Sequence, residues 1–222
     1  MRAKIFILLV CTVLHAGAQN KEKGYTYVDL GLSVKWATCN IGASSPEGFG
    51  YYFAWGETVP KNSFTTKNYA FRKSGSWAKD LKVTKYNTNP KRGDVDGRVR
   101  LILSDDAAHV KWGGRWRMPT KDEAYELYSR CKWIKKEING VIGYKIYGPN
   151  GNSIFLPAAG FMSEREAVGQ GERSCFWTSS LIIEGAYPIV TAYCLWVYLS
   201  DHNYDQWDMD RQVGFPVRPV IK

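Results

Sequence analysis

A polar and aromatic segment near the C-terminal end carries the side chains best suited to hold a ligand. Two aromatic rings lie among carboxylates and amides, a mixture that stacks on sugar faces, bonds hydroxyl groups or forms the centre of a protein interface. We predict that this loop, which precedes the last strand, is the ligand surface, because loops held by a rigid sheet often carry function. A solvated hairpin tip with Trp207 in the core is the competing interpretation. The candidate ligand-binding residues are Asp201, Asn203, Tyr204, Asp205, Gln206, Trp207, Asp208, Asp210 and Arg211.

Catalytic groupings are harder to find in the sequence. Neither His109 nor His202 has a serine or cysteine nucleophile that spacing links to it. The carboxylates of Glu164, Glu166 and Glu172 would suit glycoside hydrolysis, but a solvated charged loop explains them more simply. We therefore name no catalytic residue, and the balance of these patterns favours a protein that is not an enzyme.

Metal and cofactor motifs are incomplete. Residues 94–97, Asp-Val-Asp-Gly, begin like a calcium loop, but the later ligand positions and the closing glutamate are missing. None of the cysteines forms a CxxC pair or lies at a metal-binding spacing from histidine. The sequence predicts neither a metal site nor a cofactor.

The first eighteen residues predict export from the cytoplasm. Two basic residues precede a mostly apolar run over residues 5–14, and the small residues 16–18 follow it, as a signal peptidase requires. We expect cleavage before Gln19 and a single mature domain over residues 19–222, which is secreted, periplasmic or at the cell surface. The apolar run is shorter than the roughly 20 residues that a membrane-spanning helix needs, and no later run approaches that length.

Export makes the four cysteines of the mature chain candidates for disulfides, because an oxidising compartment lets such bonds persist. Cys39 and Cys131 form the first candidate pair, since the end of a core strand and a buried helix face would bring them together. Cys175 and Cys194 form the second, across neighbouring strands. A buried thiol without a bridge is the alternative for each of them.

The composition is that of an ordinary folded chain with one strongly basic stretch. The 222 residues are 45% hydrophobic and carry a formal net charge of +9. Residues 61–100 hold eleven lysines and arginines against three aspartates, so most of the charge is concentrated there. Because the apolar residues of this stretch are sparse and irregular, we predict a basic loop excursion that packs outside the core. A glycan or a cell-surface protein is the expected partner, and nucleic acid is not.

Strand signals dominate the chain, and one helix signal is strong. Thr120 and Glu123 form a capping box in front of apolar positions that are spaced as a helix requires. Asn139-Gly140 separates two strand-like runs, which indicates a two-residue hairpin turn. A weaker helical turn is predicted from Asp105-Asp106, and strands are predicted over residues 25–30, 33–38, 51–55, 133–138, 141–147, 153–156, 175–179, 188–199 and 213–221.

Seven motifs follow one another along residues 25–222. They are YVDLGLSVKWATCN (27–40), YFAWGE (52–57), DDAA (105–108), WGGRWRMPT (112–120), GNSIFLPAAG (151–160), FWTSS (176–180) and GFPVRPV (214–220). As an ordered set they resemble the Fibrobacter succinogenes major paralogous domain, which is abundant in exported Bacteroidetes proteins. Each motif alone is weak, and the order is what makes the resemblance specific.

The resemblance implies a C-type-lectin-like fold, which is an α+β domain with small twisted antiparallel sheets, one main helix and long loops. It implies no reaction, because the family has no established catalytic residues to carry over. In such folds the region before the last strand often forms the ligand surface. We therefore expect an exported, non-enzymatic recognition module that binds a carbohydrate or a protein. An enzyme of an exported polysaccharide pathway and a purely structural cell-surface protein are the alternatives.

Overall fold

The architecture is a set of small antiparallel sheets with few helices, which places the domain in the α+β class. The computed structural model describes residues 20–76, 80–184, 189–200 and 208–222, so the expected signal peptide lies outside the described residues. Within these residues, no helix has the length and apolar character needed to cross a membrane. The helices are α1 (Ala107–Trp112) and α2 (Lys121–Arg130), and short 3-10 turns occur at Thr66–Asn68, Pro90–Arg92 and Leu103–Asp105. The strands are β1 (Asn20–Glu22), β2 (Tyr25–Val28), β3 (Lys35–Ala37), β4 (Lys132–Ile138), β5 (Val141–Tyr147), β6 (Ser153–Pro157), β7 (Phe161–Ser163), β8 (Glu166–Val168), β9 (Arg173–Leu181), β10 (Thr191–Tyr198), β11 (Asp208–Asp210) and β12 (Val220–Ile221).

Both helices begin at the positions that the sequence predicts. The Thr120 hydroxyl accepts from the Glu123 amide at 3.2 Å, and the Glu123 carboxylate accepts from the Thr120 amide at 2.8 Å. This reciprocal pair is the predicted capping box of α2, and it satisfies two amides that the first turn leaves without partners. Asp106 caps α1 by accepting from the amides of Ala108 and His109.

The predicted hairpin of β4 and β5 is confirmed. Asn139 and Gly140 have φ values of 50° and 79°, the left-handed conformation that a two-residue turn requires and that asparagine and glycine adopt most easily. Ile138 pairs with Val141 on either side of the turn, and β6 adds a third strand along β5.

The predicted strand over residues 213–221 is mostly wrong. Only Val220–Ile221 forms a strand, β12, which closes a four-stranded sheet in the order β1-β2-β3-β12. Pro216 and Pro219 interrupt the run because proline has no amide hydrogen to donate to a neighbouring strand. The predicted strand over residues 51–55 is likewise reduced to one bridge, between Phe53 and Phe215.

The hairpin of β9 and β10 is buried on both faces and divides the core in two. Trp177 and Trp196 pack on one face, in a cluster that also holds Cys175 and Cys194. Phe176 and Leu195 project from the opposite face into a second cluster, where the buried side of α2 covers them. This two-sided burial explains why β10 carries apolar residues at consecutive positions rather than at alternating ones.

The basic stretch over residues 61–100 packs differently from the prediction. Leu81, Val83 and Tyr86 are buried in the first core cluster, each with 2% exposure or less, so the expectation that the stretch contributes nothing to the core is wrong. Val83 forms bridges to both Arg72 and Gly93, which folds the stretch back on itself. The core contacts were missed because irregular loops bury single side chains without a helical or strand period.

Candidate functional site

Six of the nine predicted ligand residues lie outside the described residues, and for these the ligand-surface prediction stays a prediction. They are Asp201, Asn203, Tyr204, Asp205, Gln206 and Trp207. The segment that holds them joins β10 to the short strand β11, and β12 follows later in the chain. The structure describes the remaining three, which are Asp208, Asp210 and Arg211.

Asp208 and Asp210 lie on an edge strand beside β10. Asp208 is opposite Tyr193 and Asp210 is opposite Thr191 in the antiparallel register. Residues that face each other across an antiparallel pair project from the same side of the sheet. Both carboxylates therefore share a face with the Tyr193 ring, whereas Met209 between them packs against the first core cluster.

An open groove reaches the same Tyr193 side chain. It consists of two adjoining hollows of about 360 and 250 Å³, both bordered by Lys121, Asp122 and Tyr193. We call it the α2 groove, because Lys121 and Asp122 are the first residues of α2. The other residues that line it are Tyr125 in the larger hollow and Val99, Arg100, Ser180, Leu181, Ile183 and Glu184 in the smaller one.

The first turn of α2 is fixed firmly enough to position these side chains. The Lys121 amide donates to the Ser180 hydroxyl of β9 at 3.2 Å. The Arg117 guanidinium donates two hydrogen bonds to the Glu123 carboxylate, at 2.7 and 2.6 Å. Although burial opposes ionisation, the hydrogen bonds from Arg117 and Thr120 hold the pKa of Glu123 below its ordinary value. The charged pair and the capping box together anchor the helix start beside the groove.

Aromatic rings and charges alternate around the α2 groove. The Lys121 Nζ lies 4.8 Å from the centroid of the Tyr193 ring, within the range of a cation–π contact. Tyr125 follows Lys121 by one helical turn and is 53% exposed. A flat ring beside charged hydrogen-bonding groups is an arrangement that can stack on a sugar ring and bind its hydroxyls.

The two aspartates of β11 add negative charge to this face. Partial burial raises the pKa of Asp210, and the nearby charge of Asp208 acts in the same direction. A hydrogen bond from Gln212, at 3.2 Å, opposes the rise. The two carboxylates therefore lie close enough to interact, and they offer acceptors across the sheet face from the cation of Lys121.

Arg211 does not belong to a ligand surface, which corrects the sequence prediction. Its side chain is fully buried, and its guanidinium donates to the Tyr69 hydroxyl at 2.8 Å. It also donates to three backbone carbonyls, of Ile189 at 2.9 Å, Lys85 at 3.1 Å and Tyr86 at 3.3 Å. Since these contacts use its donors inside the protein, Arg211 instead fastens the basic stretch to the core.

None of the four cysteines in the described residues forms a disulfide, so both predicted pairs are wrong. Cys175 lies opposite Trp196, and Cys194 lies opposite Trp177. The two thiols are therefore diagonal rather than facing neighbours on adjacent strands, and Cys175 donates its hydrogen to the Gly160 carbonyl at 2.7 Å. Cys131 ends α2, and Cys39 follows β3 at the edge of a different surface cleft.

The acidic side chains of Asp94, Asp96 and Glu172 make structural contacts within the protein. Asp96 accepts from the amides of Tyr86, Asn87 and Arg98, and Asp94 pairs with Lys73. Across residues 20–76, 80–184, 189–200 and 208–222, no group of three or more histidines, cysteines or acidic residues is arranged to hold a metal ion. Glu172 pairs with the neighbouring Arg173 at 2.9 Å.

No protein-family model, curated protein or solved structure matches this chain. The assignment of the α2 groove as a candidate site therefore depends on its geometry alone. Sequence reasoning did not find Lys121, Tyr125 and Tyr193, because the first two lie on the polar side of a helix and the third in an apolar strand. The only sequence signal for the pair on α2 was their spacing of one helical turn.

Proposed function

We propose that this protein is an exported recognition module with a C-type-lectin-like architecture that binds a carbohydrate. The proposed ligand surface is the α2 groove together with the face of β11 that carries Asp208, and the proposal keeps residues 201–207 as candidate ligand-binding residues. The ordered motifs that resemble the Fibrobacter succinogenes major paralogous domain support the architecture and the export. The small antiparallel sheets and the capped helix α2 are consistent with them.

One observation carries the proposal. The Tyr193 ring borders an open groove together with Lys121 and Asp122, and Asp208 lies opposite Tyr193 on the neighbouring strand β11. A sugar needs a flat apolar surface for one face of its ring and polar groups around the rim for its hydroxyls. The hollows, at about 360 and 250 Å³, are close to the lower limit of small-molecule sites. This size favours one or two sugar units over a broad protein interface.

The test is a glycan array with the wild-type protein and the variant Tyr193→Ala, run with and without calcium. Tyr193→Ala removes the stacking surface, so binding should fall at least about tenfold, the equivalent of about 1.4 kcal/mol. The chain offers a matched control in Tyr147 on β5, whose ring also lies under a lysine, with the Lys145 Nζ at 5.3 Å. Tyr147→Ala should bind as the wild type does.

Two results would contradict the proposal. One is glycan binding that survives Tyr193→Ala in a variant whose melting temperature is unchanged. The other is an array without a single positive glycan, together with capture of a purified cell-surface protein that Tyr193→Ala abolishes. The second result would move the ligand class from carbohydrate to protein while keeping the site.

A further inference from the structure

A second cleft lies on a different part of the surface, between the start of β2 and the loop that follows β3. It has a volume of about 360 Å³. Tyr25 at the start of β2 and Trp112 at the end of α1 both line it, and we call it the Tyr25 cleft. Its described lining residues include none of those that line the α2 groove, so the two are separate sites.

The Tyr25 and Trp112 rings form one flat apolar platform. They stack with centroids 3.9 Å apart and planes within 7°. Trp112 in turn meets the buried Trp116 edge to face, with centroids 5.0 Å apart, so the platform rests on the core. Although Trp112 covers one face of the Tyr25 ring, Tyr25 is 38% exposed. The opposite face and the edges of that ring are therefore open to a ligand, and such a surface can stack on the apolar face of a sugar.

The polar groups around this platform carry no charge. Thr38 and Ser44 line the cleft, and no acidic or basic side chain is among its described lining residues. The Ser44 hydroxyl makes no hydrogen bond within the described part of the chain, and neither does the indole nitrogen of Trp112, although that residue is only 8% exposed. Both groups can therefore bond to a ligand without leaving an internal partner. Uncharged hydrogen-bonding groups beside a flat ring suit a neutral hydroxylated ligand, whereas a charged ligand would find no counter-charge there.

Both walls of the cleft are fixed by hydrogen bonds. The Thr38 amide donates to the Thr26 carbonyl at 3.0 Å, which joins the loop after β3 to β2. The Trp116 indole donates to the Glu22 carbonyl at 2.9 Å, which holds the hairpin of β1 and β2 against the segment that follows α1. Because the walls are fixed before a ligand arrives, binding costs little conformational entropy, and a small ligand such as a sugar can bind.

A proline-rich peptide is the other ligand that aromatic clefts commonly bind. Such a peptide docks into a groove lined by aromatic side chains, where its proline rings need space between the aromatic rings. At a centroid distance of 3.9 Å the Tyr25 and Trp112 rings are in van der Waals contact, so no proline ring fits between them. The geometry therefore favours a sugar that stacks on the outer face of Tyr25.

We propose that the Tyr25 cleft is a second carbohydrate site, which binds a neutral sugar unit. The Tyr25 ring stacks on one face of the sugar, and the Ser44 hydroxyl and the Trp112 indole bond to its hydroxyl groups. This inference rests on the carbohydrate class of the proposed function but on no residue of the α2 groove. Because charged side chains such as Lys121 and Asp122 border that groove, the two sites should prefer different sugars.

The test is an NMR titration of the purified protein with neutral trisaccharides of glucose, mannose, galactose and xylose. At least one of them should bind the wild type. Tyr25→Ala should weaken that binding at least about tenfold, because it removes the stacking surface. Tyr193→Ala is the control, since it alters only the α2 groove, and it should leave the affinity for this trisaccharide unchanged. Because the cleft is uncharged, raising the salt concentration should not change the affinity either.

A second variant guards against a loss of structure. Tyr25→Ala also removes the stacking partner of Trp112, so its melting temperature is measured alongside. Ser44→Ala leaves the core intact, because Ser44 is exposed. It should weaken binding about two- to tenfold, the effect of losing one hydrogen bond.

Three results would overturn the inference. The first is that none of the trisaccharides binds. The second is that a bound trisaccharide keeps its affinity in both Tyr25→Ala and Ser44→Ala. In that case a loss of binding in Tyr193→Ala would keep the proposed function, because it would place the sugar in the α2 groove. The third is that a polyproline peptide binds in place of the trisaccharides and that Tyr25→Ala abolishes its binding.

Discussion

Replacing Arg211 by methionine should destabilise the domain far more than an exposed arginine would. Arg211 joins the segment around β11 to the basic stretch, because its guanidinium donates to Tyr69, Lys85, Tyr86 and Ile189. It also lies 4.8 Å from the Trp55 ring centroid. Methionine keeps the length and apolar contacts of the side chain but supplies no donor, so the change isolates the polar contribution.

The magnitude follows from the acceptors that the variant leaves without partners. Three carbonyls and one hydroxyl lose their donor, and each unsatisfied buried acceptor costs about 1–3 kcal/mol, or about 4–12 kcal/mol together. The variant also removes the desolvation penalty of a buried cation, which is several kcal/mol. With about 8 kcal/mol for the acceptors, the middle of that range, and about 4 kcal/mol for the penalty, the expected loss of unfolding free energy is about 3–5 kcal/mol. For a domain of this size, that loss lowers the melting temperature by about 6–20 °C.

Urea unfolding followed by circular dichroism measures the free energy, and limited proteolysis shows where the structure loosens. In Arg211→Met, cleavage within residues 61–100 should be faster than in the wild type. Arg130→Met is the control, because that arginine is exposed on α2 and pairs with Glu126, so this variant should lose no more than about 1 kcal/mol of unfolding free energy. If Arg211→Met unfolds within about 1 kcal/mol of the wild type, the buried guanidinium does not hold the basic stretch to the core.

Two further predictions concern stability. Because the pKa of Glu123 is lowered in the folded state, its ion pair with Arg117 stabilises the protein fully above about pH 4.3, the unfolded value, and less as the pH falls through the folded value. Urea unfolding at pH 6 and pH 3 should therefore show that the free energy of unfolding falls less on acidification in Glu123→Gln than in the wild type. An equal fall in both proteins would contradict the role of this ion pair. Gly148→Ala should destabilise the protein by about 2 kcal/mol, since the added carbon would lie 2.1 Å from the Leu30 carbonyl oxygen. A free energy of unfolding in urea within about 0.5 kcal/mol of the wild type would show instead that the backbone moves to make room for the methyl group.

Local signals predicted the parts of the fold that local interactions determine. The capping box of Thr120 and Glu123 and the turn at Asn139-Gly140 each act over a few residues, so their types alone identify the start of α2 and the hairpin of β4 and β5. The same holds for Asp106, whose carboxylate caps α1 within three residues. These elements formed where the sequence predicts them.

The candidate site depended on contacts between distant parts of the chain. Tyr193 meets Lys121 only because α2 packs on β10, and no pattern within either segment indicates that contact. Arg211 looked like a surface residue because it ends a polar and aromatic segment, yet three of its four acceptors lie more than a hundred residues earlier. The cysteine pairs failed for the same reason, since residue types do not determine strand register.

The closure of the first sheet by β12 has a consequence for how quickly the protein folds. Val220 pairs with Trp36, and Arg218 bonds to Asn40, which is 178 positions away. Closing a loop of that length costs about 5 kcal/mol of chain entropy. The contacts that offset this cost form only after the two segments have met. The hairpins of β4–β5 and β9–β10 can form early from neighbouring residues, whereas the sheet that β12 completes must form late. We therefore expect slow refolding through an intermediate in which these two hairpins have formed and β12 is not yet paired with β3.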